Sequence, residues 1–383
     1  MLVYYRCNFM KSLFVHDHKF TSINGRYYSD GKLTNNTWLR YLSFSDNIKV
    51  IGRVKEVTSI PNNLNETTLN NVEFFCINEI KKTDRINTKR VDLIILNQIV
   101  DSDIVICRLP SFLGSRAYSL AMKLKKKVIV ELVGCPYDAL KTHGSFIGKI
   151  LAPIERFKTK KQVLNANSVI YVTQEFLQRR YPTKGKSIGV SNVELFNHTY
   201  MCDSIAKPKV IKFIGSLNSL YKGLDDLLSA IYLLKLDGIN LELHVLGGGN
   251  ISNYTNKIKM YDIESQVVFF KPISGGYGVI EWLTNGNIYI QPSHTEGLPR
   301  ALIEAMSVGL PCIGTFVGGI PELLDENVLC KAKSPKDLVD KIKILLSDDD
   351  FRIKQGIRNK EVSNNYLYDS LFSRRYEFLN SII

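Results

Sequence analysis

Asn287-Ile-Tyr-Ile-Gln-Pro-Ser-His-Thr-Glu-Gly-Leu-Pro-Arg-Ala-Leu-Ile-Glu-Ala-Met306 decides the fold, because it sets a short apolar strand against an amphipathic helix across one tight turn. Asn287 to Gln291 reads as a buried strand. Pro299 to Val308 reads as a helix, with proline in its first turn and Gly309 past its end. Glu296 then sits on the turn and Glu304 about two helical turns further in. The amides of Gly297 and Leu298 precede the helix and have no partner within it, so the turn is an anion site that the main chain can bring close to a ligand. Two carboxylates beside a phosphate would repel it unless they faced hydroxyl groups. A ligand with a diphosphate in its middle and a polyol at each end, the layout of a nucleotide sugar, satisfies both demands.

Outward from this stretch, strands and helices alternate. Strands are predicted at 210–214, 241–246, 267–270, 288–290 and 312–315, and helices at 222–236, 253–260, 278–285, 299–308 and 335–346. That spacing calls for a parallel sheet with helices on both faces. The first half repeats the theme less regularly, with strands at 13–15, 48–51, 72–75, 104–107, 128–130 and 169–172. Its helices fall near 34–45, 91–100, 115–125, 145–165 and 175–181. A polar, irregular stretch over 191–208 is the natural linker. The expected fold is α/β, two doubly wound Rossmann-like domains facing each other across a cleft, one over 1–195 and one over 207–365. Ligands bind such sheets at the carboxyl ends of strands, where Gly215 and Glu296 both fall.

The stretch from Glu296 to Glu304, with Gly309-Leu-Pro-Cys-Ile-Gly-Thr-Phe-Val-Gly-Gly-Ile-Pro-Glu322 after it, resembles glycosyltransferase family 4, retaining enzymes of the GT-B fold with an E-x7-E motif. The resemblance implies that Glu296 contacts the donor sugar and Glu304 the ribose. Gly318, Gly319 and Glu322 match the family's glycine pair and following glutamate. Gly215-Ser-Leu-Asn218, with Lys222-Gly223 after it, is similar to the family's phosphate-binding turn, which makes Lys222 the cation on the leaving diphosphate. Many relatives carry an arginine where this chain has Ser216, and Arg300 is the candidate for the missing charge. Gly247 and Gly248, after another strand, match a loop near the donor. The resemblance further implies an acceptor-binding N-terminal domain and a final segment, 366–383, that returns to it.

On the acceptor side the candidates are Gly25 and Gly31, in a loop that either overhangs the cleft or is a plain surface turn, and Glu131 and Asp138 after a strand. Many relatives place a histidine near there, where this chain has Gly134-Cys135. The implied reaction is same-face displacement at the anomeric carbon, with the departing phosphate oxygen taking the acceptor's proton, so that the protein supplies positioning and charge rather than a strong base. No metal is expected. Asp348-Asp-Asp350 follows a helix and reads as an N-cap, Asp101-Ser-Asp103 precedes its strand, and no His/Cys ligand cluster is present. A nucleotide sugar, UDP- or GDP-linked, is expected as co-substrate with no further cofactor. A non-catalytic nucleotide-sugar or glycan-binding protein and a sugar-nucleotide epimerase are the competing readings. A nicotinamide dehydrogenase is disfavoured further, because no G-x-G-x-x-G turn follows an early strand.

The 383 residues and 45% apolar content suffice for a core in each domain. No apolar window spans a membrane, no signal-peptide pattern opens the chain, and the seven scattered cysteines form no C-x-x-C pair, which together point to a cytoplasmic chain with reduced thiols. The net charge of +13 favours a polyanionic partner. Nucleic acid is set aside for want of any RNP, zinc-finger or KH signature. An anionic membrane surface at the inner face has local support in Phe146-Ile-Gly-Lys-Ile-Leu-Ala-Pro-Ile-Glu-Arg-Phe157, apolar at helical spacing and followed by lysines. The same pattern is also that of a core-packing helix with a solvated basic face. The expected acceptor is a glycan or lipid-linked glycan in surface polysaccharide assembly.

Overall fold

The computed structural model describes residues 9–29, 33–59, 64–142, 146–203, 207–273 and 275–383. The N-terminal half runs β1 (Lys11–Ile23), β2 (Arg26–Ser29), α1 (Asn35–Leu42), β3 (Asn47–Glu56), β4 (Asn65–Glu66), β5 (Val72–Phe74), α2 (Lys82–Ile86), α3 (Lys89–Val100), β6 (Ile104–Leu109), α4 (Phe112–Lys123), β7 (Lys127–Leu132), α5 (Pro136–Thr142), α6 (Phe146–Asn165), β8 (Ser168–Tyr171), α7 (Phe176–Arg180) and β9 (Lys186–Gly189). Strands β5-β3-β1-β6-β7-β8-β9 lie side by side and parallel. Their centre reads as unbroken apolar runs because helices cover both faces, as in Ile104-Val-Ile-Cys107. Past its pairing with β6, which ends at Val15, β1 continues beside β3 to Ile23 and folds back through a two-residue turn at Asn24-Gly25 into β2, both turn residues having positive φ (48° and 76°).

The C-terminal half runs β10 (Val210–Ile214), α8 (Leu224–Leu236), β11 (Glu242–Leu246), α9 (Ser252–Met260), β12 (Val267–Phe270), α10 (Tyr277–Thr284), β13 (Ile288–Gln291), α11 (Arg300–Ser307), β14 (Cys312–Thr315), β15 (Leu329–Cys330), α12 (Pro335–Ser347), α13 (Asp349–Ser363) and α14 (Tyr368–Ile382). Its sheet is parallel throughout, in the order β12-β11-β10-β13-β14-β15. Strand order therefore reverses between β10 and β13, and the crevice at their carboxyl ends is the topological switch point where such sheets bind ligands.

The chain crosses between the halves near residue 195 and again near 367, where Tyr368 N donates to the Leu195 carbonyl at 2.7 Å. From there α14 packs against β9 and α1 of the first sheet. Its Arg375, buried, donates to the carbonyls of Val190 and Ser191 and to Asn192 Oδ1. Asp348 caps α13 by accepting from Phe351 N, the structural role read for that acidic run. The six described cysteines are free, and five of them are buried.

Candidate active site

Two loops meet at the crevice between β10 and β13. After β10 the chain makes a 3-10 turn, Leu220–Lys222, then Gly223 in the left-handed region (φ 78°) before α8 begins. A Cβ on Gly223 would stand 1.9 Å from the Pro292 carbonyl oxygen, so only glycine lets the two loops touch here. His294 N donates to the Tyr221 carbonyl at 2.7 Å, and the His294 ring meets Asp226 Oδ2 at 2.5 Å. With the loops joined on both sides, the Lys222 ammonium donates to Glu296 Oε1 at 2.6 Å. Ser293 Oγ (2.8 Å) and Gln291 Nε2 (3.2 Å) donate to the same oxygen and fix the carboxylate's orientation.

Burial opposes the charge on Lys222, but the Glu296 carboxylate, through its field and its hydrogen bond, outweighs burial and holds the lysine above its ordinary value, with Arg300 acting the other way. The lysine is therefore charged at neutral pH. Glu304, on the same side of α11, has its carboxyl pushed up by burial and by Glu194, with Arg300 pulling it down. It lines a small cavity with Glu194, His198, Gly276, Tyr277 and Ile280. Arg300 is thus close enough in charge to act on both Lys222 and Glu304.

The glycine turns lie beside this pair. Gly215 N donates to the Leu246 carbonyl at 3.0 Å and Leu217 N to the Gly248 carbonyl at 2.9 Å, so the loop of Gly215 and Ser216 is zipped to that of Gly247 and Gly248. Ser216 is exposed. Gly297 faces the other domain, where a Cβ would lie 2.5 Å from the Val133 carbonyl oxygen. Leu298 packs against the apolar cores of both halves. Glu322 crosses the same boundary, its carboxylate accepting from the amides of Gln174 (2.6 Å), Glu175 (3.2 Å) and Phe176 (2.7 Å) at the start of α7. The turn carrying Glu296 is therefore held against the N-terminal domain at Gly297 and Glu322.

Of the acceptor-side expectations, the one for Glu131 needs correction. Gly25 forms the tight turn of the β1–β2 hairpin, with nothing within 4 Å of where its Cβ would be. Gly31, like Asp30 and His143, lies outside the described residues. Glu131 is buried in β7 and points into the domain, where it accepts from Tyr41 Oη at 3.0 Å and sits 3.7 Å from Arg108. Burial opposes its charge, but Arg108, Arg375 and Arg40 outweigh burial and hold its carboxyl below the ordinary value, so it is an internal counter-ion and not an acceptor contact. Asp138 pairs with Arg180 and borders a cavity of about 610 Å3 with Tyr137, Lys141, Lys149 and, from the opposite domain, His294 and Lys333. Sequence reasoning missed Ser293 and Gln291; these polar residues, ending an apolar strand, were the available signal.

Two Rossmann-like domains with a paired lysine and glutamate at the switch point of the second define a GT-B glycosyltransferase, and the chain belongs to the family described as Glycosyl transferases group 1, whose profile matches residues 203–362. Across nearly its whole length it is similar to Protein CapJ of Staphylococcus aureus, 32% identical over 376 residues, which covers 97% of this chain and 95% of that one. It is 33% identical over 233 residues to the amylovoran biosynthesis glycosyltransferase AmsK of Erwinia amylovora, covering 57% of this chain and 56% of that one. Among solved structures, Anabaena HepE in complex with UDP superposes with a TM-score of 0.69 at 15% identity, covering 97% of this chain and 100% of that one, a likeness of fold.

Proposed function

We propose that the protein is a retaining hexosyltransferase of glycosyltransferase family 4, metal-independent, moving a sugar from a UDP- or GDP-linked donor to a hydroxyl of a glycan or lipid-linked glycan in surface polysaccharide assembly. It works in the cytoplasm, at the inner face of the membrane. One observation carries this reading: Lys222 and Glu296, far apart in sequence, meet at 2.6 Å in the crevice between β10 and β13. A diphosphate entering beside that ammonium gains a counter-charge, while the carboxylate and Glu304 are left to accept from sugar and ribose hydroxyls. The polysaccharide assignment is supported by the likeness to AmsK, and the nucleotide by the UDP complex of a GT-B protein.

In the reaction the acceptor oxygen bonds to the anomeric carbon on the face from which the phosphate oxygen departs, and the acceptor's proton passes to that oxygen. Lys222 stabilises the charge growing on the diphosphate, and Glu296 positions the sugar. The test has two stages. A screen of UDP- and GDP-sugars by thermal shift finds the donor, because a ligand held only by the folded state raises the melting temperature. The purified protein, treated with a chelator, is then given that donor and a lipid-linked acceptor, and the product's anomeric configuration is read by NMR. An inverted product, nucleotide release without transfer, or activity abolished by the chelator sinks the corresponding part of the proposal.

A further inference from the structure

Helix α6 turns its large apolar side chains away from the protein. Phe146, Ile147, Ile150, Leu151, Ile154 and Phe157 are between 42% and 76% exposed. At 3.6 residues per turn they fall within an arc of about 140° on one side of the helix. The buried residues Gly148, Ala152, Thr159, Gln162 and Val163 occupy the opposite side, where small side chains let the helix lie close on its domain. The apolar stripe is thus not the core-packing face. A helix that buries its small residues and exposes phenylalanine and isoleucine presents a surface for something else to cover.

Charge selects the occupant. Between Phe146 and Asn165 stand Lys149, Arg156, Lys158, Lys160 and Lys161 against the lone acid Glu155, which itself lies 3.6 Å from Lys158. An apolar stripe flanked by cations on a helix lying along the surface matches the boundary between headgroups and acyl chains of an anionic bilayer. Among the described residues no helix is long and apolar enough to cross a membrane, so the geometry fits lying on it and not spanning it.

Position adds the functional consequence. The edge of α6 next to the stripe lines the interdomain crevice: Lys149, Ala152 and Pro153 border the cavity that reaches His294, and Arg156 borders a second one that reaches Phe316 and Glu322. We propose that α6 is the element by which the protein lies on an anionic membrane, with its crevice opening at the bilayer surface, so that the acceptor arrives attached to a lipid. The docking stands on α6 alone; the statement about the acceptor rests on the transferase reading above.

The test is flotation of the full chain with phosphatidylcholine vesicles with and without phosphatidylglycerol, at low and high salt. Binding is expected to the anionic vesicles and to weaken with salt. It should fall about tenfold or more in Ile150→Gln/Phe157→Gln, which removes buried apolar contact with the acyl boundary, and also in Lys158→Glu/Lys161→Glu. Since these side chains are exposed, both variants should keep the wild-type melting temperature and the wild-type shift with nucleotide. Absence of vesicle binding, binding unchanged in the glutamine variant, or a dimer in sedimentation velocity that this variant dissolves overturns the proposal. A lost nucleotide shift in the unmodified chain would instead count against the transferase reading and leave the docking result standing.

Discussion

Lys222→Ala separates a catalytic lysine from one that merely holds Glu296 in place. The ammonium stands 2.6 Å from the carboxylate, with side-chain exposures of 22% and 10%. At an effective dielectric of about 20, the gross attraction over that distance is roughly 6 kcal/mol. Most of it is offset by the desolvation of both groups, and Glu296 keeps the Ser293 and Gln291 donors, so the net loss of stability should be about 1 to 3 kcal/mol. For a domain of this size that is about 2 to 4 °C in melting temperature per kcal/mol. Turnover should fall much further. Removing one donor to a developing anion costs about 2.7 to 4 kcal/mol of barrier, a hundredfold to a thousandfold in kcat. The assay is single-turnover sugar transfer alongside UDP titration, for Lys222→Ala, Glu296→Gln and the double variant. If Lys222 touches the diphosphate, UDP affinity falls in Lys222→Ala and survives in Glu296→Gln, because UDP lacks the donor sugar that Glu296 would contact. If it acts only through Glu296, the double variant is no slower than Glu296→Gln and UDP affinity is unchanged in all three. Transfer by Lys222→Ala within about twofold of the wild type would remove the lysine from the mechanism altogether.

Three further outcomes follow from the geometry. Gly297→Ala puts a methyl 2.5 Å from the Val133 carbonyl and pushes the domains apart; transfer should drop at least about tenfold while the thermal shift with UDP persists, measured side by side. Glu304 has a folded-state carboxyl raised above its ordinary 4.5 by burial, so its ionisation destabilises the fold increasingly as pH rises through that raised value. Glu304→Gln should therefore melt higher than the wild type at about pH 7.5, with the gap closing toward about pH 4, while binding UDP more weakly; a lower melting temperature at neutral pH would contradict the assignment. Glu131→Gln leaves Arg108, Arg40 and Arg375 short of a buried counter-charge and should destabilise by about 3 kcal/mol or more in chemical denaturation, with the acceptor KM of the folded protein unaltered.

Much of the second sheet is legible because its central strands are buried on both faces and read as apolar runs: β10 and β14 coincide with the runs that predict them, and so does β12, a partly buried edge strand that is itself the apolar run Val267-Val-Phe-Phe270. β9 escapes notice because Lys186-Ser-Ile-Gly189 is a polar edge strand with no periodicity of its own, defined only by its partner β8. β2 escapes for a related reason: its pairing depends on β1 extending to Ile23, well beyond the apolar Leu13-Phe-Val15 that announces it. In the site, Glu296 and Lys222 could be picked out from local turns, but their contact could not, since it depends on Gly223 reaching Pro292 from another strand. Glu131 misleads in the opposite direction. It sits near the end of a strand, where cleft residues are found, yet the arginines that claim it come from β6, α1 and α14. The amphipathicity of α6 is plain in the sequence, but which side the domain covers is not, because the covering face is made of Gly148 and Ala152 and carries almost no hydrophobic signal.

The same turn that holds the reactive pair also governs the meeting of the domains. Glu296 takes the lysine through its side chain, and a Cβ on Gly318 would stand 2.2 Å from its carbonyl oxygen; the neighbouring Gly297 carbonyl accepts from Gly319 N at 2.7 Å. From there the chain runs through Ile320 to Glu322, whose carboxylate gathers three amides of the other domain. Residues 174–176 of the N-terminal domain are therefore linked through a few packed backbone groups to the Glu296 carboxylate, with Lys222 at the other end of the same chain of contacts. The Lys222–Glu296 pair and the meeting of the domains thus share one run of contacts, and glycines recur in it at the positions where a side chain would hold the two loops, or the two domains, apart.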